Sequence, residues 1–453
     1  MTSGISRRDS LILGGAALGA AGVPVIGARA QAPTPPDVPM ADVKPPTFPV
    51  EKGARLHVIR PAKFIDPDQV YWDINTKRFT DTTGIPVAVN YISWEDLRPQ
   101  TAVIANTGAG ADIVFGWAID PFLYETKLVG MNDLAEYLGK KYGGWFDIAK
   151  LYGTRWKTNY WHSLPIGGGS GPTVYRISWV KQAGYDRIPD NLDDFMTLCR
   201  KLKQIGHPCG FSIGHAVGDA NGFAEWALWA NGAQVVDPEG RVALDSKETV
   251  AALKYVAELY KYMIPGTIAW NDSGNNKAYA AGDIGLTFNG VSIYYVLKNS
   301  PDPTLQAMAK DTMHQAVPQG LAKRSPMTAG PMNAMLFKHS KYPNAAKEYI
   351  RFLMEAPQYG PWLAKCYGYW SEPLKSYAKM KFWTEDPKLA PYANAMDTIY
   401  YDGYAGPITA AASAVVANYT VVDMFAAVAT GNATPQSAIR TAVREAERYY
   451  GKA

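Results

Sequence analysis

The sequence predicts an α/β protein, because short β-rich runs alternate with segments of helical spacing along most of the chain. Strands that alternate with helices are typical of βαβ units, so we expect mostly parallel sheets flanked by helices. A second observation is composition, since 47% hydrophobic and 19% charged residues are ordinary for a folded globular chain. The third is length, because 453 residues correspond to two or three domains or to one large bilobed unit.

Charge and aromatic content reduce the number of functions that the sequence is compatible with. The 45 basic and 41 acidic residues leave a net charge of +4, which argues against a nucleic-acid binder with a strongly basic face. The 28 Tyr, 13 Trp and 14 Phe residues exceed what a core alone needs, and aromatic planes pack well on sugar rings. We therefore expect a protein that holds a molecule with one flat, apolar side, such as a sugar.

The first thirty residues have the pattern of a secretory signal peptide. Arg7 and Arg8 precede an apolar run rich in Gly and Ala, and a small-residue cleavage site ends at Ala30. The adjacent arginines are typical of the twin-arginine (Tat) export signal. A membrane anchor is the alternative interpretation, but Pro24 and several glycines interrupt the run. We expect residues 1–30 to be removed, so that the mature chain is periplasmic and is not embedded in the membrane.

The proline-rich residues 31–52 are predicted as a linker, and the first α/β block follows it. Its predicted elements are strands at 55–59, 87–92 and 111–115 and helices at 69–80 and 98–106. In parallel sheets, ligands bind beyond the carboxyl ends of the strands. The side chains that follow the second and third strands are therefore binding candidates: Trp94, Glu95, Trp117 and Asp120.

The rest of the chain has a second α/β block and a helical final third. The predicted helices cover 192–203, 222–230, 246–263, 344–354, 389–400, 419–429 and 435–450, with strands at 211–213 and 283–288. Three of these helix starts carry capping signals. The capping residues are Asp190 or Asn191, Ser246, and Thr434 with Pro435 behind it.

Four blocks of sequence occur in a specific order and spacing. The first runs from Leu164-Pro165-Ile166 through Tyr175 to Phe195, and the others are 278–290, 340–353 and 431–447. Together they resemble the sugar-binding group of the periplasmic solute-binding proteins that serve ABC importers, the maltose-binding-protein-like extracellular solute-binding protein family 1. The resemblance extends over most of the mature chain.

This resemblance implies a two-lobed periplasmic binding protein fold whose lobes close on a ligand by hinge motion. Lobe one would comprise residues 53–165 and 322–365, and lobe two residues 166–321 and 366–453. The ligand would be a carbohydrate or a polyol in the cleft between the lobes, and the partner would be an ABC permease in the inner membrane. The resemblance further implies a monomer that needs no cofactor and is not an enzyme.

The segment Trp117-Ala118-Ile119-Asp120 resembles the family's Trp-Ala-x-Asp sequence after a strand. The resemblance implies that the indole stacks on a sugar ring and that the carboxylate accepts hydrogen bonds from sugar hydroxyls. The alternative is that Trp117 belongs to the core and that Asp120 caps a helix.

Other positions depart from the maltose-binding pattern. Gly169, in a glycine run, stands where that pattern has an acidic residue. Ala220, Gly222 and Ser292 replace three of its further contact residues, so a maltodextrin ligand is not expected. No Gly-Lys-Ser/Thr follows the glycine run, which is therefore not a phosphate loop. We expect the backbone at Gly169 and Ser170 to approach the ligand closely.

Further binding candidates lie at predicted helix starts and strand ends. A polar group at a helix start can face a cleft and offer amides to a ligand. The alternative for Asp219 is a simple cap, with the tryptophans of that helix packed beneath it. The additional candidates are His215, Asp219, Trp226, Trp270, Asn271, Asp272, Asn289, Gly330 and Trp370.

The sequence carries no motif for catalysis or metal binding. It contains no H-E-x-x-H, no Cys/His zinc spacing and no G-x-S-x-G elbow. Cys199 and Cys209 are predicted as two buried thiols, although an oxidising compartment also permits a disulfide between them. Two alternatives to a transport receptor stay open: a secreted carbohydrate-active enzyme such as a glycosidase or lyase, and a binding-protein-type sensor subunit.

Overall fold

Two β-sheets frame the computed structural model, which describes residues 38–327, 330–393, 395–397 and 400–451. The predicted signal peptide and the start of the predicted linker lie outside the described residues. Within those residues the strands are β1 Leu56–Pro61, β2 Val87–Ile92, β3 Ile113–Gly116, β4 Leu164–Gly168, β5 Thr173–Arg176, β6 Leu286–Phe288, β7 Thr312–Gln315 and β8 Pro331–Leu336.

The larger sheet has the strand order β2-β1-β3-β8-β4 and mixes strand directions. β1 pairs in parallel with β2 and β3, whereas β8 runs antiparallel to both β3 and β4. The smaller sheet, in the order β6-β5-β7, is antiparallel throughout. The α/β class is confirmed, but among the described strands parallel pairing occurs only within β1–β3, which successive helical crossovers join.

Helices pack around both sheets. In the first half of the described chain they are α1 Asp66–Thr83, α2 Trp94–Thr107, α3 Asn132–Lys141, α4 Asp147–Gly153, α5 Ile177–Gln182, α6 Leu192–Gln204, α7 Asp219–Ala230, α8 Lys247–Tyr260 and α9 Gly274–Ala281. In the second half they are α10 Ser292–Asn299, α11 Pro303–Lys310, α12 Pro343–Met354, α13 Ala356–Cys366, α14 Phe382–Glu385, α15 Ala390–Ala393, α16 Ala410–Ala417, α17 Thr420–Ala429 and α18 Pro435–Tyr450.

Side-chain caps begin three of these helices where the sequence predicts them. Asn191 caps α6, Ser246 caps α8 and Thr434 caps α18, each by accepting a hydrogen bond from an amide of the first turn. Pro435 occupies the first position of α18, where an amide would have no partner inside the helix. These caps satisfy amides that the helix itself leaves unpaired, so the predicted starts are confirmed.

Helix α2 begins earlier than the predicted residue 98. Ser93 caps it by accepting a hydrogen bond from the amide of Asp96 at 3.1 Å. Trp94 and Glu95 therefore lie in the first turn of a helix rather than in a loop after β2. The direction of each of these side chains follows from the helix, which is why one of them faces inward and the other faces solvent.

Two predicted elements do not form as expected. Residues 211–213 are not a strand, because pairing at this sheet edge stops after single bridges at Cys209. The predicted helix over 389–400 is reduced to α15, followed by a 3₁₀ turn at Ala395–Asp397.

One apolar segment of the described residues, Ala410–Ala429, is long and apolar enough to cross a membrane by length and composition alone. It consists of α16 and α17, separated at Tyr419, whose φ of 56° is left-handed. Helix α17 packs against α7, α8 and α18, and 61% of the segment's apolar stretch is buried. We therefore interpret the segment as a pair of core helices.

Candidate functional site

A cavity of about 240 Å³ lies among segments that belong to both sheets. Its wall is formed by the segments after β3, β4 and β6 and by the start of α7. Strand ends and helix starts present unpaired backbone groups, which makes them frequent ligand sites. The sequence-predicted binding residues that line the cavity are Trp94, Trp117, Gly169, Ser170, Asp219, Trp226, Asp272, Asn289, Gly330 and Trp370.

Trp94, Trp117 and Trp370 form a connected aromatic wall of the cavity. The ring centroids of Trp94 and Trp117 are 4.7 Å apart, and those of Trp94 and Trp370 are 6.2 Å apart. The indole N–H of Trp117 donates to the carbonyl oxygen of Trp94 at 3.3 Å. The indole N–H of Trp370 donates to Oδ1 of Asp68 at 2.9 Å. Because these N–H groups are already engaged, the rings can offer a ligand their apolar faces.

Trp226 lines the cavity from α7 but is mainly a core residue. Its side chain is 1% exposed and meets the ring of Phe288 edge-on with centroids 5.0 Å apart. Its indole N–H donates to the carbonyl oxygen of Pro318 at 2.8 Å. The structure therefore gives Trp226 a packing role beneath the cavity.

Four carboxylates, which we call the carboxylate cluster, also line the cavity: Asp219, Glu225, Asp272 and Asp402. Asp272 accepts hydrogen bonds from the amide of Gly218 at 3.0 Å and from the amide of Asp219 at 2.9 Å. A carboxylate at this end of α7 interacts favourably with the helix dipole. The cap is thus Asp272 and not Asp219, whose Oδ2 atom has no hydrogen-bond partner among the described residues.

Burial dominates the electrostatics of this cluster. It raises the pKa of Glu225, and the neighbouring Asp402 raises it further. It likewise raises the pKa of Asp219, with an additional contribution from Asp272. Asp402 is held by Tyr152, whose hydroxyl donates to Oδ2 of Asp402 at 2.6 Å and accepts from the Asp402 amide at 3.0 Å. The cluster can accept hydrogen bonds when ionised and donate them when protonated.

Among the described residues that line the cavity, Arg98 is the only one with a basic side chain. Its Nε donates to Oδ1 of Asp120 at 2.8 Å. Asp120 is fully buried and does not line the cavity, and burial raises its pKa despite the positive charge of Arg98. The structure therefore corrects the role that the sequence assigns to Asp120, because this carboxylate lies behind Arg98.

The glycine run contributes backbone to the cavity wall. A side chain at Gly169 would meet no atom within 4 Å, so the wall is open at this position. The amide of Gly169 donates to the carbonyl oxygen of Gly330 at 3.2 Å, which holds the run against the segment before β8. The hydroxyl of Ser170 is buried and has no partner among the described residues, so it is available to a ligand.

The remaining predicted site residues lie away from the cavity. Glu95 is exposed in the first turn of α2. His215 is exposed as well and stacks on Tyr419 with ring centroids 4.2 Å apart. Trp270 and Asn271 line a separate depression of the surface. The place of a residue in the sequence predicts that these side chains lie near the site. It does not determine the direction in which a loop or a first helical turn points them.

The sequence analysis does not predict three charged residues of the cavity wall, namely Arg98, Glu225 and Asp402. The sequence contains a feature that could have predicted Glu225. Helical spacing places it on the same face of α7 as Asn221 and Gly222, which also line the cavity. No local sequence feature predicts Asp402, because its position beside α7 depends on how the last third of the chain folds.

The described residues give no support for a metal site. They contain no group of three or more His, Cys, Asp or Glu side chains that could hold a metal ion. The three cysteines, Cys199, Cys209 and Cys366, are buried free thiols. The two-thiol interpretation of Cys199 and Cys209 therefore matches the structure.

Comparison with known proteins gives one family and two curated relatives. The family model for bacterial extracellular solute-binding proteins matches residues 76–391. A protein of Escherichia coli strain K12 named as an ABC transporter periplasmic-binding protein is 24% identical over 210 residues, which is 45% of each chain. A protein of Deinococcus radiodurans named as an ABC transporter-binding protein is 21% identical over 206 residues, 43% of this chain and 48% of the relative. The chain thus spans slightly less than half the length of the curated relatives it matches.

Solved structures match most of the chain. Maltose-bound MalE3 of T. maritima has a TM-score of 0.72 at 18% identity and covers 87% of this chain and 100% of its own. A sugar transporter of Arthrobacter chlorophenolicus with bound laminaribiose has a TM-score of 0.71 at 16% identity, with coverage of 87% and 99%. A solute-binding protein of Agrobacterium radiobacter in complex with ribitol has a TM-score of 0.68 at 17% identity, with coverage of 87% and 98%. At these identities the likeness shows the fold, and the predicted two-lobed α/β fold is confirmed.

Proposed function

Because this chain belongs to the bacterial extracellular solute-binding protein family, we propose that it is the extracytoplasmic receptor of an ABC importer and binds a carbohydrate or a polyol in the cavity. The observation that carries the proposal is the presence of the aromatic wall and the carboxylate cluster in one cavity. Sugar rings present C–H faces that pack on aromatic planes and hydroxyls that need strong acceptors. Capture of such a ligand requires no chemistry on it.

The cavity volume supports a small ligand. Cavities for drug-sized ligands measure roughly 300–1,000 Å³, and this one measures about 240 Å³. The matched structures hold maltose, laminaribiose and ribitol, so the same fold accommodates two-ring sugars and an open polyol. We propose a ligand of one or two rings, or a linear polyol.

The two sheets support the proposed division into lobes, with lobe one at 53–165 and 322–365 and lobe two at 166–321 and 366–453. The pairing of β4 with β8 as far as Gly168 supports extending the proposed lobe one to that residue. Hinge closure would exclude water from the cavity, and the permease would recognise the closed form. A Tat signal would deliver the monomeric chain to the periplasm.

A thermal-shift screen over sugars, polyols, sugar acids and glycerol phosphates identifies the ligand, and calorimetric titration then measures its affinity. Trp117→Ala should weaken binding by roughly tenfold or more, because it removes a ring face from the cavity. Trp270→Ala is the matched control, since Trp270 lines a separate depression, and it should bind like the wild type. Undiminished affinity of Trp117→Ala would remove that residue from the site, and a screen without any sugar or polyol ligand would overturn the proposal.

A carbohydrate-active enzyme is the second candidate, and the buried Glu225 beside Asp402 favours it. A carboxyl group whose pKa is raised by burial suits a general acid in glycoside cleavage. The bound sugar is incubated with the protein and analysed by chromatography. Product that forms with the wild type and not with Glu225→Gln would establish the enzyme. A receptor shows a change in tryptophan fluorescence with no product, and a sensor subunit would do the same but bind a signalling receptor instead of a permease.

A further inference from the structure

We propose that Tyr152 and Asp402 form a latch between the two proposed lobes, which shifts the equilibrium between open and closed forms toward the closed arrangement described here. The inference rests on the proposed function, because it concerns how the receptor controls closure over its cavity. Its basis is the contact that residues 400–407, which we call the latch loop, make with both proposed lobes.

The latch loop is fixed to proposed lobe two. The ring of Trp229 on α7 packs against the rings of Tyr400 and Tyr404, with centroid distances of 5.0 Å and 6.3 Å. A Cβ atom at Gly406 would lie 2.6 Å from the carbonyl oxygen of Asp237, so the loop directly touches the backbone of that segment. Contacts as close as these transmit displacement, so the loop should move together with α7.

Tyr152 is fixed to the larger sheet, which is the centre of proposed lobe one. Its helix, α4, packs against β4 and β8, and its carbonyl oxygen accepts a hydrogen bond from Nδ2 of Asn333 in β8 at 3.4 Å. The side chain is fully buried. Its hydroxyl donates to Oδ2 of Asp402 at 2.6 Å and accepts from the amide of Asp402 at 3.0 Å. These two hydrogen bonds therefore join a residue of lobe one to a loop that is fixed to lobe two.

Arg98 adds an electrostatic interaction between the same two parts. Burial raises the pKa of Asp402, whereas the hydroxyl of Tyr152 and the positive charge of Arg98 lower it. Tyr152 and Arg98 both belong to proposed lobe one and both favour the ionised carboxylate. Separation of the lobes would deprive Asp402 of these two partners.

An apolar contact surrounds the hydrogen bonds of the latch. One buried cluster combines residues of both proposed lobes, among them Ile119, Phe122 and Ile148 of lobe one and Met396, Ile408 and Ala412 of lobe two. The ring of Tyr401 in the latch loop also lies 6.2 Å from the ring of Trp156, measured between centroids. Opening the lobes would expose this apolar surface to water, which is unfavourable. The closed arrangement is therefore stabilised by a contact outside the cavity.

The latch can change affinity without touching a ligand. Asp402 lines the cavity, but Tyr152 does not, so a change at Tyr152 removes no group from the cavity wall. A protein whose binding-competent form is only partly populated binds its ligand more weakly, in proportion to that population. A latch that raises the population of the closed form should therefore raise the affinity.

Small-angle X-ray scattering of the mature chain without ligand tests the latch. Tyr152→Phe removes one hydroxyl, and the radius of gyration of this variant should exceed that of the wild type. Tyr349→Phe is the matched control, because the Tyr349 hydroxyl is buried as well and its partner at 2.7 Å, Thr76, lies in the same proposed lobe. The control should have the radius of the wild type. Circular dichroism checks folding, and Trp156→Ala, which removes a half-buried ring of the same contact, replaces Tyr152→Phe if that variant does not fold.

Calorimetric titration tests the coupling between the latch and the cavity. The probes are maltose, laminaribiose and ribitol, which the matched structures hold. Tyr152→Phe should lower the affinity for any of the three that binds by about tenfold, because the loss of a hydrogen bond to a carboxylate lowers the closed population by about this factor or more. Tyr349→Phe should stay within about twofold of the wild type.

The outcomes separate the latch from the proposed function. An unchanged radius of gyration in Tyr152→Phe overturns the latch, and so does an equal increase in Tyr349→Phe, which would show a general loss of stability instead. A larger radius together with undiminished affinity for a probe that binds contradicts the coupling to the cavity. If none of the three probes binds, the radius alone decides. Each of these results leaves the carbohydrate receptor standing, because only the wider thermal-shift screen can overturn it.

Discussion

At the scale of single residues, Glu372 is an acid that the fold keeps neutral. It is fully buried, and neither carboxyl oxygen has a partner among the described residues. Burial raises the pKa of Glu372 to about 8. The native state then holds a proton at pH 7 that the unfolded chain, with an ordinary glutamate pKa near 4.3, has lost. The free energy of unfolding is therefore not reduced by Glu372 at pH values below the unfolded pKa, and it falls as the pH rises toward 8.

Glu372→Gln removes this dependence because the amide is neutral at every pH. We predict that the variant exceeds the wild type in free energy of unfolding by on the order of 4–5 kcal/mol at pH 8, since the folded and unfolded pKa values differ by between three and four units and each unit is about 1.4 kcal/mol. Near pH 4.5 the two should be equally stable. Urea unfolding at both pH values measures the difference, and a gain of the same size at both would show that titration of Glu372 is not its cause.

Individual residues also show how much of the candidate site can be predicted from the sequence. Trp117 could be predicted because it follows a buried strand, and strand ends in α/β sheets gather at ligand sites. Asp120, only three residues further on, could not, because its contact with Arg98 depends on how α2 packs. Glu225 and Asp402 come together from distant parts of the chain, and no local pattern relates them.

At the scale of secondary structure, helices and strands differ in how well the sequence predicts them. Helix α18 has the bounds that its cap and periodicity predict, and α6 extends one residue beyond its predicted end. Both signals are local. Strand β8, in contrast, inserts between β3 and β4 from far along the chain and runs antiparallel to both. Its direction depends on the long connection through the smaller sheet, which periodicity does not describe.

Helix α7 allows stability and binding to be separated. Gly222 lies inside this helix and lines the cavity, and a Cβ atom there would meet nothing within 4 Å. Gly222→Ala should stabilise the unliganded protein by about 0.5–1 kcal/mol, because alanine loses less backbone entropy in a helix. The added methyl group would project into the cavity and weaken ligand binding. Thermal unfolding and calorimetric titration measure the two effects independently.

Gly214→Ala is the contrasting variant. A Cβ atom at Gly214 would lie 1.9 Å from the carbonyl oxygen of Ile268, so the backbone would have to move. This variant should lower the melting temperature, whereas Gly222→Ala should raise it. A fall for both variants would mean that the space beside Gly222 is not open in solution.

At the scale of the whole molecule, the cavity lies among segments of two sheets that few connections join. The link from β4 to β5 covers residues 169–172, and the link from β7 to β8 covers residues 316–330. A rotation at such connections can close a cleft while each sheet keeps its own hydrogen bonds.

We therefore predict that a saturating ligand lowers the radius of gyration of the mature chain in small-angle X-ray scattering. Trp117→Ala, at a ligand concentration that saturates only the wild type, should show a smaller decrease. An unchanged radius in the saturated wild type would contradict closure and leave the binding proposal intact, because calorimetry measures affinity whether or not the lobes move.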